Sequence, residues 1–442
     1  MVSIENEAAL ASTGGRETAL ACIRAGIEAA RPERVVAESV HVDEEERLRV
    51  GEATYDLSGV DRIVVVGGGK AADGVAAALE DVLGDRIDAG AIVTPDAGDD
   101  GRIERWHGEH PVPSQEGVEG TDRILDLITE TDDRTLVLAI ITGGASALLP
   151  SPAEGISLDD LQTTTDALLN AGAEIGDLNA VRKHLSTIKG GGLVELAAPA
   201  RVVGLVFSDV VGNDLSVIAS GPTAPDESTY QDALDVLKRY DVDPPAPVRD
   251  RLEQGAAGNL PETPRTDDPV FDRVRNHVIA DAFTAMDAAR EVAEDRGYDT
   301  CILSSSVRGE AREAALTHVA VAEEIGATGN PAEAPVVVLS GGEATATVRG
   351  DGVGGPNADF ALAAAVELPE STTLACVDTD GHDGSSDFAG AIVDADTVDD
   401  VRAARRALAN SNAYGFLGGR GAVLSTGATG TNVNDIRVMV VE

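Results

Sequence analysis

The chain has 442 residues, enough for about two or three domains, and its 77 acidic and 34 basic residues give a formal net charge of −43. This charge excludes nucleic acid and anionic membranes as partners, because either polyanion would be repelled. The hydrophobic fraction of 43% is sufficient for a folded core, and no apolar run is long enough to span a bilayer.

The basic residues are mostly arginine, and aromatic residues make up only 3% of the chain. An acidic surface nearly free of lysine is typical of proteins that work in molar salt, where short Debye lengths screen self-repulsion. The odd number of widely spaced cysteines and the acidic start of the chain favour a reducing cytoplasm over a secreted, disulfide-bonded protein. The few lysines are Lys70, Lys183, Lys189 and Lys238.

Strands and helices are predicted to alternate in the first part of the chain. The predicted strands cover 62–66, 91–94, 136–141 and 202–207. The predicted helices cover 17–30, 70–83, 114–128 (with Ser114 as N-cap), 158–173 and 178–188. Such alternation indicates βαβ units and a mostly parallel sheet.

A proline-rich stretch follows at 241–268, with one short helix expected at 248–254, and then the alternation resumes. Further helices are predicted at 282–296 and 312–325, and further strands at 300–303, 336–339, 344–348, 373–377 and 436–440. We therefore predict two α/β domains with a cleft between them. The expected boundaries are 1–243 for the N-terminal domain, 244–270 for the connection and 271–442 for the smaller C-terminal domain.

A glycine-rich turn follows the first predicted strand. Gly67, Gly68, Gly69 and Lys70 begin a G-x-G-x-x-A pattern, and Asp96 could serve as the acid that a dinucleotide site requires. The alternative is a tight turn that needs glycine for packing alone. Lys70 argues for terminal phosphates, since a lysine there can neutralise charge that develops during phosphoryl transfer.

A second turn of this kind follows the third strand. Gly143 and Gly144 let backbone N–H groups approach an anion, and Ser146 can add a hydroxyl donor. An ordinary glycine-rich connection is the alternative.

An acidic loop follows the strand at 373–377. Asp380, Asp383 and Asp387 lie within eight residues, a density that suits Mg²⁺. The alternative is a solvated acidic loop, and His382 in this setting is more often solvated than catalytic.

Taken in order, the motifs resemble those of class II glycerate kinases, ATP-dependent glycerate 2-kinases whose C-terminal half is the MOFRL domain. The resemblance spans about residues 17–440. The motifs are GGGK at 67–70, HPVP at 110–113, TGGASAL at 142–148, LNAVRKHLS at 178–186, KGGG at 189–192, SDVVGN at 208–213, IASGPT at 218–223, TDGHDG at 379–384 and TGTNVND at 429–435.

The resemblance implies a Rossmann-like, doubly wound N-terminal domain, a smaller MOFRL-type α/β domain and an active site in the cleft. It implies phosphorylation of D-glycerate by ATP at the 2-hydroxyl, with Mg²⁺ or another divalent cation. It places the family's lysine on Lys70, its strand-end acid on Asp209, the first acid of its acidic loop on Asp380 and its late asparagine on Asn434.

One position departs from the family pattern. Pro356 stands where many members carry an arginine that is treated as catalytic. Arg182 and Lys183 are our candidates to replace that cation, and Arg182 in particular could bind the glycerate carboxylate with its planar fork.

In the scheme that we expect, Lys70 covers the transferring phosphate, and the glycine-rich turns, with Asn434, hold ATP. Asp209, Asp380 and Asp383 are the expected metal ligands, and Asp380 accepts or orients the proton of the substrate hydroxyl.

Two alternatives stay open at this point. One is an NAD(P)-dependent hydroxypyruvate reductase, for which no histidine stands out as the general acid. The other is a noncatalytic protein that binds a nucleotide or small anion. The composition allows a homodimer but does not require one.

Overall fold

The computed structural model describes residues 2–99 and 101–442, and these residues form two compact units. The central unit comprises Val35–Ser208 and Asn213–Ile279. The terminal unit comprises Met1–Arg34, Asp209–Gly212 and Ala280–Glu442. The chain therefore passes between units near residues 34, 208, 212 and 279, rather than through the single proline-rich connection expected at 244–270.

The helices are α1 (Glu7–Leu10), α2 (Gly14–Ala29), α3 (Pro32–Ser39), α4 (Ala72–Leu83), α5 (Gln115–Thr129), α6 (Ala145–Leu148), α7 (Leu158–Asn170), α8 (Ile175–His184), α9 (Gly192–Ala197), α10 (Tyr230–Arg239), α11 (Ala246–Ala256), α12 (Ala282–Asp295), α13 (Ala311–Thr328), α14 (Pro356–Ala365), α15 (Val401–Ala409) and α16 (Ala413–Gly418). The strands are β1 (Val40–Val42), β2 (Arg47–Val50), β3 (Ala53–Asp56), β4 (Arg62–Gly68), β5 (Ala89–Thr94), β6 (Ile103–His107), β7 (Thr135–Ile141), β8 (Arg201–Phe207), β9 (Val274–Ala280), β10 (Asp299–Glu310), β11 (Val336–Thr345), β12 (Thr372–Asp378), β13 (Gly390–Asp394), β14 (Val423–Leu424) and β15 (Asp435–Val441). Short 3₁₀ turns cover Gly84–Arg86, Ile218–Ser220 and Pro269–Arg273.

The central unit is built on a six-stranded sheet in the order β6-β5-β4-β7-β8-β9, and the pairs from β6 to β8 are parallel. The chain fills one side of β4 with β5 and β6, then returns to place β7 and β8 on the other side. This reversal makes the gap between β4 and β7 the topological switch point of a doubly wound sheet. The predicted Rossmann-like fold is confirmed here.

The apolar runs that predicted these strands are buried because helices cover the sheet. Every residue of β7 is buried, and so is β4 from Ile63 to Gly68. Such runs are typical of parallel strands that are covered on both faces. Helix α5 begins as predicted, with the Ser114 hydroxyl accepting a hydrogen bond from Gly117 N at 3.2 Å.

The proline-rich stretch belongs to the central unit and contributes a few side chains to its core. Helix α11, expected at 248–254, buries Val248 and Leu252 completely against a cluster that also contains Tyr230. Prolines here shape a packed helix start rather than a free linker, since proline suits the first turn of a helix.

The terminal unit contains a mixed sheet in the order β10-β11-β15-β12-β13-β14. Only the β10–β11 pair is parallel, and the other pairs are antiparallel. The mostly parallel pairing predicted for the first part of the chain does not extend to this sheet, because β15 returns from the end of the chain to pair antiparallel with both β11 and β12. Strand β11 also runs unbroken where two strands were expected.

Helix α2 explains why the first residues belong to the terminal unit. It packs on β12, β15 and α12 and buries Leu20, Ile23 and Ile27 completely. The Arg16 guanidinium also lies 2.5 Å from the Asp394 carboxylate at the end of β13. The sequence showed the helix but not the sheet on which it packs.

Three short strands, β1–β3, form a separate antiparallel sheet that sequence patterns did not predict. Within the residues that the structure describes, no helix is both long enough and apolar enough to cross a membrane.

Candidate active site

Two glycine-rich turns meet at the switch point of the central sheet. One comprises the last residues of β4 and the turn that follows it, Gly67–Lys70, and the other is the turn after β7, Thr142–Ser146. Lys70 N donates to Gly143 O at 2.8 Å, and Thr142 N donates to Gly68 O at 3.2 Å. The structure thus brings both predicted anion-binding motifs together, at the edge of a doubly wound sheet where ligands bind.

Packing by itself explains why two of these positions are glycine. Gly67 and Gly69 both have positive φ, at 143° and 127°. A Cβ on Gly67 would overlap the carbonyl of Ile140, and one on Gly69 would overlap the Thr142 hydroxyl. The G-x-G pattern therefore needs no dinucleotide to account for it, which weakens the reductase alternative.

The Lys70 side chain lies over the second turn. A Cβ added to Gly144 would stand 3.2 Å from Lys70 Cγ and 3.1 Å from His110 Cδ2, so the lysine stem and the imidazole flank this glycine. Two residues further on, Ser146 Oγ lies 2.9 Å from Ser220 Oγ. The Gly143–Ser146 turn is therefore within reach of Lys70.

Arg182 and Lys183 follow one another on α8, but their surroundings differ. Lys183 is buried, and its Nζ lies 3.0 Å from Asp226 Oδ1. Asp226 also accepts hydrogen bonds from Ser228 and Thr263. Lys183 therefore holds a structural ion pair, and the expectation that it binds substrate is corrected: its charge is already satisfied inside the fold.

Arg182 is half-buried and lines a small cavity of the central unit with Ser146, Ser186 and Lys189. Across residues 2–99 and 101–442, the structure gives its guanidinium no hydrogen-bond or ion-pair partner. Burial lowers the pKa of Arg182 to about 10. A cation in this state is available to an anionic ligand.

In the terminal unit, Asn434 connects the backbone at Asp209 with the residue that precedes Asp380. Its Nδ2 donates to the backbone carbonyl of Asp209, and its own carbonyl accepts from Thr379 N at 3.2 Å and Thr379 Oγ1 at 2.7 Å. Thr379 directly precedes Asp380. The structure therefore brings Asp209, Asp380 and Asn434 to one edge of the mixed sheet, with the Asn434 amide positioning backbone there.

Asp383, by contrast, is turned into the fold. Its carboxylate is fully buried and accepts hydrogen bonds from Asn357 N at 2.8 Å, Ala358 N at 2.9 Å and Tyr414 Oη at 2.7 Å. Burial raises its pKa to about 6. Asp383 stabilises the start of α14, which Pro356 opens, so its expected role as a metal ligand does not fit this geometry.

The described residues contain no group of three or more His, Cys, Asp or Glu side chains placed to hold a metal ion. The expected trio of Asp209, Asp380 and Asp383 is thus not assembled. Aspartates at the end of β12, Asp378 and Asp380, still offer hard oxygen donors. Mg²⁺ commonly takes one or two carboxylates and completes its shell with phosphate oxygens and water, so the donor chemistry fits such an ion.

Lys189 opens the KGGG motif, and the sequence predicts no role for it. Lys189 is only 6% exposed, and its ammonium donates to Leu149 O at 3.2 Å. The scarcity of lysine was the signal that could have pointed to Lys189. The chain has only four lysines, and of these Lys238 is the exposed one.

Comparison with known proteins gives two family matches and close relatives of nearly equal length. The domain of unknown function DUF4147 matches residues 18–253, and the MOFRL family matches residues 336–435. A D-glycerate 2-kinase from Thermotoga maritima is 37% identical, with 95% of this chain and 97% of that protein covered.

An Agrobacterium vitis protein with the provisional name hydroxypyruvate reductase is 40% identical, covering 86% of this chain and 99% of its own length. The crystal structure of glycerate kinase from Thermotoga maritima superposes with a TM-score of 0.84 at 36% identity, covering 96% of this chain and 99% of that one. The chain therefore belongs to the glycerate 2-kinase family, with a DUF4147 region followed by a MOFRL region.

Proposed function

We propose that this protein transfers the γ-phosphoryl group of ATP to the 2-hydroxyl of D-glycerate. The observation that carries the proposal is the position of Lys70, whose stem lies over Gly144 at the switch point of the central sheet. Kinship with a D-glycerate 2-kinase over nearly the full chain gives the substrate class.

Lys70 neutralises the phosphoryl group during transfer. Phosphoryl transfer needs alignment and charge neutralisation more than covalent chemistry, because negative charge is spread over the equatorial oxygens in the transition state. Backbone N–H groups of Gly143 and Gly144 add donors for the ATP phosphates. Gly69 N already donates to Val93 O at 3.0 Å, so the glycines at 67–69 shape the turn. Ser146 contributes its hydroxyl at the same edge.

Asp380 accepts or orients the proton of the attacking hydroxyl. Its backbone is held by Thr429 N, which donates to Asp380 O at 3.2 Å, and its Oδ1 accepts from His382 N at 2.8 Å. A carboxylate fixed in this way can act as a base without moving far. Asp209, whose backbone carbonyl accepts a hydrogen bond from Asn434, lies with Asp380 at one edge of the mixed sheet of the terminal unit.

Asp209 and Asp380 are the residues that would hold a divalent cation. When bound, such an ion neutralises charge on the ATP phosphates. Arg182 binds the carboxylate of glycerate, where a planar guanidinium matches a planar anion.

The protein also has the traits of a cytoplasmic, salt-adapted enzyme. The three cysteines are free thiols, and two of them, Cys22 and Cys376, are buried. A net charge of −43 requires screening for the compact state to be favoured. A homodimer is a further expectation, which size-exclusion chromatography with light scattering in molar KCl would test.

The activity is tested by ADP release in about 2 M KCl, a salt level that shortens the Debye length to a few ångströms. Mg-ATP is supplied with D-glycerate, and parallel reactions contain L-glycerate or hydroxypyruvate with NADH. Glycerate-dependent ADP, with phosphorus NMR placing the phosphate on the 2-oxygen, is the expected result.

Oxidation of NADH without ADP release would establish the reductase instead. A folded sample that binds ATP and glycerate but turns over neither would support the noncatalytic alternative. The replacement of the family's arginine by Pro356 would then account for the lost activity.

A further inference from the structure

The small cavity of the central unit contains two cationic side chains and no carboxylate. It is lined by Pro113, Ser146, Ala147, Pro150, Ser151, Leu161, Thr165, Arg182, Ser186 and Lys189. Its volume is about 30 Å³, which admits about two or three water-sized groups. A small planar anion fits such a space, and a nucleotide does not.

This charge arrangement is unusual for the chain as a whole. Acids outnumber bases by 77 to 34, yet neither Arg182 nor Lys189 has an acidic partner among the residues that the structure describes. A buried cation beside a half-buried one of the same sign is destabilised both by the loss of water and by repulsion between the two charges. Burial and the nearby Arg182 charge lower the pKa of Lys189 to about 7.

The neighbouring lysine shows that the fold can satisfy a buried cation when it needs to. Lys183 has Asp226 at 3.0 Å, and that carboxylate is itself fully hydrogen-bonded. Lys189 has a single protein acceptor, the carbonyl of Leu149. Lys189 thus carries a cost in stability that an anionic ligand would offset.

The cavity also lies beside the phosphate-handling residues. Ser146 lines it, and Gly144, two residues earlier, is covered by the Lys70 stem. A hydroxy acid whose carboxylate entered the cavity would keep its hydroxyl on the side of Lys70. This position suits transfer of the phosphoryl group to the hydroxyl oxygen on the carbon next to the carboxylate.

We propose that Lys189 and Arg182 together bind the carboxylate of the hydroxy-acid substrate, and that Lys189 determines the specificity for an acid over a neutral alcohol. The inference rests on the proposed kinase function and adds a residue to it. A substrate without the carboxylate would leave the buried Lys189 and the half-buried Arg182 unpaired, which is the kind of contact that rejects an analogue strongly.

The test compares Lys189→Met with Lys238→Met, in about 2 M KCl. Lys238 is exposed on α10, so its removal changes the net charge equally without touching the cavity. Lys189→Met should raise the KM for D-glycerate at least tenfold and leave the KM for ATP within about twofold of the parent value. It should also lower the ratio of kcat/KM for D-glycerate to kcat/KM for glycerol. These values follow from the loss of one charged hydrogen bond to the substrate.

Stability separates this role from a structural one. Without substrate, Lys189→Met should melt at the same temperature as the parent or higher, because it removes an uncompensated buried charge. A structural lysine would give the opposite: a lower melting temperature and an unchanged KM for glycerate, and that result would overturn the proposal. Arg182→Met provides a second variant, with the same expected loss of glycerate affinity.

Direct binding keeps the test independent of turnover. D-glycerate without ATP should stabilise the parent in a thermal melt and should stabilise Lys189→Met equally only at concentrations at least tenfold higher. Stabilisation of the parent by inorganic phosphate but not by glycerate would overturn the carboxylate assignment. Parent affinity should weaken about tenfold from pH 6.5 to 8, as Lys189 loses its proton beside Arg182, the charged group that lines the cavity with it. An absence of ADP with intact glycerate binding would refute the kinase function alone.

Discussion

The ion pair between Lys183 and Asp226 gives a sharp test of how α8 uses its cations. Lys183→Met keeps the length of the side chain and removes its charge. Asp226, which is 1% exposed, then stays buried without its 3.0 Å partner. Breaking a buried pair from one side costs about 3–5 kcal/mol of unfolding free energy.

The local geometry places the cost at the lower end of that range. Asp226 keeps hydrogen bonds from Ser228 N at 3.0 Å, Ser228 Oγ at 2.8 Å and Thr263 Oγ1 at 3.0 Å. We therefore expect a loss of about 3 kcal/mol. For a unit of this size, each kcal/mol lowers the melting temperature by about 2–4 °C, which gives a decrease of about 6–12 °C.

The single tryptophan, Trp106, lies on β6 of the central unit, so its fluorescence reports the melting of that unit. Molar KCl should not remove the effect, because buried pairs are screened far less than surface pairs. Adding Asp226→Asn to Lys183→Met should restore at least half of the lost stability, since the uncompensated charge is then gone.

The KM for glycerate in folded Lys183→Met should stay within about twofold of the parent value. A large rise in that KM with an unchanged melting temperature would refute the reasoning and return Lys183 to the substrate site.

Three further predictions concern activity and salt. Lys70→Met should lower turnover by about 10³-fold or more while shifting the melting temperature no more than Lys238→Met does, because its charge acts mainly in the transition state; near-normal turnover would remove Lys70 from the scheme. Gly69→Ala should abolish activity and lower the melting temperature, since its φ is 127° and its Cβ would overlap the Thr142 hydroxyl, whereas Gly176→Ala, with open space around it, should behave as the parent. Transfer from about 2 M to 0.1 M KCl should lower the melting temperature and activity as the Debye length grows to about 10 Å; an unchanged protein in low salt without divalent ions would contradict the salt-adapted interpretation.

Local patterns in the sequence were enough to predict most of the central sheet. Continuous apolar runs mark strands that are covered on both faces, and glycine-rich turns after them mark the edge where ligands bind. Lys70 and the Gly143–Ser146 turn were predicted on these grounds, and both lie at the switch point. The short helix expected at 248–254 is present as α11, although the connection that was expected around it is part of the central unit.

Pairing between distant segments could not be predicted in the same way. The N-terminal helix α2 has an ordinary apolar face, and nothing in its sequence says that β12 and β15 cover it. The antiparallel pairings of the terminal unit depend on loop geometry and on which strands meet, and both are settled by contacts between residues far apart in the chain.

The sequence by itself determined the class of fold, the acidic surface and the glycine-lysine turn, because these follow from composition and from residues close together in the chain. Only the tertiary structure decided which charged side chains form ion pairs or hydrogen bonds inside the protein and which remain available to a ligand. Arg182 and Lys183 are adjacent on α8, but a helix turns by about 100° per residue, so one cation lines the cavity and the other meets Asp226. Asp383 caps α14 while Asp380, three residues earlier, stays at the sheet edge, since burial and partners depend on the direction of each side chain in the folded chain.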